Sequence, residues 1–114
     1  MLQTQRLLLI APSSMTRTPA FDRAAALARA MQLPLHIVAF DYLQALAIAG
    51  LFAPEQINRA REAYLDTHRH WLTEQADVMR QHGVEVTSEV VWVHHPYEEI
   101  LHFVNEMSLA LIIK

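Results

Sequence analysis

The chain has 114 residues, room for one domain with a sizeable core but not for two. It is 53% apolar and only 18% charged, a balance that predicts a surface partly covered by a partner. A formal charge of −3 excludes the basic stripe that nucleic-acid binding needs, and the absence of cysteine excludes disulfides, thiolate metal sites and cysteine nucleophiles.

The N-terminal stretch MLQTQRLLLIAPSS carries too short an apolar run for a signal peptide or a membrane span, so a cytoplasmic protein without a membrane partner is expected. Its RLLLIAP portion suits a strand buried on both faces. Thr18 and Pro19 form a helix start, and Phe21, Ala24, Ala25, Ala28 and Met31 recur at helical spacing, predicting a helix over 18–32 closed by Pro34. LHIVAF predicts a second buried strand over 35–40, with His36 a hydrogen-bonded core histidine. DYLQALAIAGLFA is apolar without a clean period and is expected to be a partly helical connection lying against something.

Pro54 opens a long helix whose apolar stripe is expected to be Ile57, Ala60, Tyr64, Trp71, Val78 and Met79, with Gly83 as its C-terminal cap. His68 and His70, two apart on that helix, must point in different directions. VEVTSEVVWV, dominated by β-branched residues, predicts a third strand; HPYEEILHFVNEM predicts a helix and LALIIK a last strand. Strands alternating with helices and apolar on both faces imply an α/β domain, a doubly wound parallel sheet with helices on both faces. The sequence stops inside an apolar strand at Ile112, Ile113 and Lys114, which suggests a single domain, 1–114, incomplete after its fourth strand.

The stretch VVWVHHPYEEILHFV concentrates the chemically able side chains. Pro96 suits the first turn of a helix, and Glu98 and Glu99 in that turn answer the helix dipole. Tyr97, Ile100, Leu101 and Val104 are expected to form the buried face, leaving His95, Glu98, Glu99 and His102 on a solvated one. That quartet offers imidazole and carboxylate ligands, but His95 and His102 lie two turns apart, about 10 Å along the axis, and one metal cannot use both. A helix-start motif is therefore expected rather than a metal site. Ser13 and Ser14 follow the first strand, where a parallel sheet places its ligands, yet no histidine or acid is tied to them by spacing, so a loop role is expected and no catalytic residue is assigned. With only Gly50 and Gly83, the chain has no glycine-rich phosphate loop.

The pattern resembles the universal stress protein family. RLLLIAPSS is similar to that family's first strand and turn, AFDRAAALARAMQLPLHIVAF to its first helix and second strand, QADVMRQHGVEVTSEVVW to the end of its long helix and its third strand, and HHPYEEILHFVNEMSLALIIK to the following helix and fourth strand. Val90, Val91, Trp92, Pro96 to Ile100 and Lys114 resemble the tandem, E-type members, in which two such domains are joined. The resemblance implies an adenine-nucleotide-alpha-hydrolase-like fold and a stress-response domain. Nucleotide-binding members carry an aspartate at the end of the first strand and a glycine-rich loop after the fourth. Here Ala11 or Pro12 takes the aspartate's place, and Lys114 stands where the loop should begin. The expectation is a non-catalytic binding and dimerisation module without cofactor, partnered by a second copy or a sister domain. The alternative is a domain that binds ATP or AMP with a phosphate loop beyond Lys114, in which case Ala11, Pro12, Ser13, Val38 and Lys114 would line the site. Association contacts are expected through Ala110 to Ile113 or through Leu43 to Phe52.

Overall fold

The computed structural model describes residues 5–12, 14–41, 54–92 and 96–114. Seven elements follow one another: β1 (Arg6–Ala11), α1 (Pro19–Met31), β2 (Leu35–Asp41), α2 (Pro54–Gln81), β3 (Val86–Trp92), α3 (Pro96–Glu106) and β4 (Leu109–Ile113). The four strands pair in parallel in the order β3-β2-β1-β4. The expected parallel α/β domain is what forms. The connection after Asp41, and with it the contact expected through Leu43 to Phe52, lies outside the described residues.

β1 runs through the middle of the sheet, which explains its unbroken apolar run. Leu7, Leu8 and Leu9 are all fully buried, because alternate side chains meet helices on opposite faces. Leu7 and Leu9 join Leu35 and Ile37 of β2, Phe21, Ala24 and Ala28 of α1 and Leu72, Ala76 and Met79 of α2 in the larger core. Leu8 and Val38 face the other way and receive Phe103 of α3. The small residues of α1 let that helix lie close to the strands, and Phe21 fills the space toward α2, edge-on to Trp71 at 5.8 Å.

The helix ends follow from local chemistry. Pro19 opens α1 after Thr18, whose carbonyl accepts the Phe21 N–H at 3.0 Å although its hydroxyl makes no cap bond. Gln32, in the left-handed region at φ 54, turns the chain out of α1, and the Leu33 N–H returns to the Ala28 carbonyl at 3.1 Å. Gly83 does the same after α2 at φ 86, with the Val84 N–H returning to Met79. Its role as a C-terminal cap is as expected.

Two helix faces differ from the periodic reading. Among the described residues the buried stripe of α2 is Leu65, His68, Leu72, Ala76 and Met79, at steps of three and four; of the expected stripe Met79 is buried, Tyr64 and Trp71 are half-buried, Ala60 and Val78 are exposed, and the Ile57 side chain lies outside the described residues. Two adjacent apolar rows compete on that helix, and the row that meets the sheet includes a histidine. In α3 the expected face of Tyr97, Ile100, Leu101 and Val104 is turned largely outward, with Tyr97 76% and Leu101 63% exposed, while Phe103 is buried. Phe103 is the α3 side chain seated against Leu8 and Val38, and with it inward the row of Tyr97, Leu101 and Val104 faces away from the sheet.

Candidate functional site

From β1 the chain moves outward through β2 and β3, then returns across the sheet to β4. The order thus reverses between β1 and β4, and their carboxyl ends form the crevice where a doubly wound sheet takes ligands. Leu9 lies opposite Ile113, so Lys114 emerges beside the end of β1. Ala11 closes β1 as a buried residue opposite Ala39, and Pro12 follows it half-buried. The expected Ala11, Pro12 and Lys114 therefore do meet at one edge. Ser13 lies outside the described residues, and Ser14 beside it is exposed. Val38 does not join them. It is fully buried in the middle of β2, packed with Leu8 and Phe103 beneath α3.

The chemistry of this edge is one-sided. Ala11 and Pro12 supply no ionisable group, and the exposed ammonium of Lys114 is the charge that β1 and β4 bring to it. After Ser14, Met15 takes a left-handed backbone at φ 55, uncommon for a residue with a side chain, and reverses the chain toward α1. Arg17 then anchors the segment: it pairs with Asp22, donates to Gln75 Oε1 at 3.1 Å and lies over the Phe21 ring at 5.6 Å. This clamp joins the loop after β1 to both α1 and α2. Asp41, level with Trp92, ends β2 on the same side of the sheet. The strand reading stopped one residue short of it. An acid directly after the apolar run LHIVAF was the available signal.

Away from that edge, His36 sits where expected, a nearly buried polar residue in β2. Its Nδ1 lies 2.6 Å from Thr87 Oγ1 and its Nε2 lies 2.8 Å from Glu89 Oε1, both on β3. A proton on Nε2 donates to the carboxylate and leaves Nδ1 to accept from the Thr87 hydroxyl. His68 is fully buried while His70 is exposed, in opposite directions as their spacing requires. Of the quartet around the start of α3, His95 lies outside the described residues, Glu98 and His102 are exposed, and Glu99 is half-buried. His102 packs edge-on against Phe103 at 6.4 Å. Among the described residues no cluster of three metal-binding side chains forms, and no helix is long and apolar enough to cross a membrane. Two surface clefts, of about 370 and 410 Å³, run along α1 and the end of α2 and share Arg29 and His82; the first also includes the Arg17–Asp22 pair.

The comparisons with known proteins agree with this architecture. A universal stress protein family structure from Burkholderia pseudomallei superposes with a TM-score of 0.69 at 20% identity, covering 97% of this chain and 82% of that one. A universal stress protein from Archaeoglobus fulgidus gives 0.58 at 18% identity, covering 98% and 75%. A universal stress protein in complex with cAMP gives 0.61 at 17% identity, covering 96% and 75%. At these identities the structures establish the shared fold. No curated protein matches the sequence. The sequence model of the universal stress protein family, however, matches residues 4–114, spanning every strand and helix described above. On that match the chain belongs to the universal stress protein family.

Proposed function

We propose that this stress-response domain works in the cytoplasm as a non-catalytic binding and association module, without ATP as a cofactor. The observation that carries the reading is the end of β1. Buried Ala11 and half-buried Pro12 stand where the family's nucleotide-binding members are expected to present an aspartate. Without a carboxylate there, sugar hydroxyls have no acceptor at that position and a nucleotide loses a directional contact. Association is supported by β4, an edge strand of the described sheet on which Leu111 and Ile112 are each 43% exposed. An apolar edge with unpaired backbone groups favours a second copy or a sister domain.

A second reading, an adenine-nucleotide domain, is favoured by the relative solved with cAMP and by Lys114 at the switch point. Calorimetry with ATP, AMP and cAMP separates the two. The expected result is no binding at micromolar concentrations. Micromolar affinity for any of the three overturns the first reading and supports the second.

A further inference from the structure

The opposite edge of the sheet carries a different surface. β3 is its last strand. The Leu35 N–H donates to the Glu85 carbonyl at 2.8 Å while Leu35 itself lies opposite Val86. In a parallel ladder this alternation turns the backbone groups of Thr87, Glu89 and Val91 toward β2 and those of Val86, Ser88 and Val90 outward. Arg80 marks the same edge independently: its Nε and Nη2 both donate to the Val86 carbonyl, at 3.2 and 2.7 Å. The guanidinium thus closes the first outward position. Among the described residues nothing pairs with the outward groups of Ser88 and Val90.

Each face beside this open stretch has its own chemistry. On the α2 side a cleft of about 250 Å³ is lined by Arg69, Leu72, Thr73, Ser88, Glu89 and Val90. Leu72 gives it an apolar floor, and its size suits one aliphatic side chain. Glu89 borders the cleft between Ser88 and Val90, but its carboxylate turns to the opposite face, toward His36 of β2. One of its oxygens meets His36, its side chain remains 43% exposed, and its second oxygen is available to a cation. Successive side chains of a strand point to opposite faces, so a chain laid along this edge offers one residue to the cleft and its neighbour to Glu89.

We propose that the β3 edge from Ser88 to Val90 is a docking strand for an extended segment of another protein, one that alternates apolar and basic residues. The backbone supplies the pairing, the cleft takes the apolar side chain and Glu89 takes the basic one. A second copy fits less well. The antiparallel register that pairs Ser88 with Val90 in both directions sets two Glu89 carboxylates directly opposite each other, and like charges so placed are destabilising. This surface lies on the far side of the sheet from β4, so its test does not depend on nucleotide binding or on self-association there.

The probe is a synthetic peptide alternating valine and lysine, titrated into the isotopically labelled protein with amide NMR as the readout. The Ser88 and Val90 amides are expected to shift saturably and to become protected from exchange. Replacing the peptide's lysines by glutamate removes binding. Glu89→Gln, which keeps an acceptor for His36, weakens the lysine peptide about tenfold. Ser88→Pro removes only an outward N–H, which an edge strand tolerates, and abolishes binding while the remaining amide spectrum is retained. Shifts confined to other residues, or equal affinity for Glu89→Gln and the unaltered protein, overturn the proposal. So does concentration-dependent protection of Ser88 and Val90 without peptide, which assigns the edge to a second copy.

Discussion

His36 shows how a single residue ties two strands together. Its ring is nearly buried, lies 5.9 Å from the Phe103 ring, and has both nitrogens satisfied from β3. Removing the Thr87 hydroxyl leaves Nδ1 of a nearly buried ring without its partner. Thr87→Val is therefore expected to lower stability by about 1–3 kcal/mol in urea unfolding, despite the higher strand propensity of valine. Glu89→Gln, which still accepts from Nε2, is expected to cost less; a Thr87→Val protein as stable as the parent refutes this account. That His36 is buried was legible from its place in LHIVAF. Its partners were not, because the β2–β3 register joins residues about fifty apart and no local spacing encodes it.

At the scale of elements, the order and type of every described strand and helix were legible, since proline starts, the Gly83 stop and apolar runs are local signals. The faces of the helices were less so. Along α2 the rows containing Val78 and Leu72 both look apolar in sequence, and only the sheet decides between them. The difference is measurable. Leu72→Ala is expected to cost about 2–5 kcal/mol by emptying a fully buried position. Val78→Ala on the exposed row is expected to stay within about 0.5 kcal/mol. Equal losses in chemical denaturation would contradict the packing described. The same competition turned Tyr97 and Leu101 of α3 outward once Phe103 filled the sheet's second face.

For the whole molecule, the candidate site was legible where it rests on strand ends. Ala11, Pro12 and Lys114 come together because the chain reverses direction between β1 and β4, a consequence of topology alone. Val38 lies beneath α3 and short of that edge, because sequence does not reveal how far along β2 the carboxyl edge lies; Asp41 occupies that end. The apolar flank of β4 makes the association reading testable. Ile112→Lys places a charge on an exposed edge residue and is expected to shift the protein toward monomer in sedimentation, with its circular dichroism unchanged. An unaffected sedimentation profile would place any self-contact elsewhere.

The position of β1 between β2 and β4 also sets an order of assembly. Its pairing with β2 spans one helix, whereas Arg6 and Leu109 come from opposite ends of the chain. Closing the longer loop costs more entropy, and the extra residue that shifts the β1–β4 register after Arg6 interrupts that ladder at its start. The block from β1 to β3 is therefore expected to fold first, with β4 docking last and being the first strand to open. In native-state hydrogen exchange the amides of Leu111 and Ile113 should exchange through a lower-energy opening than those of Ile37 and Val38. A common opening energy for both pairs would show that the sheet unzips as one unit.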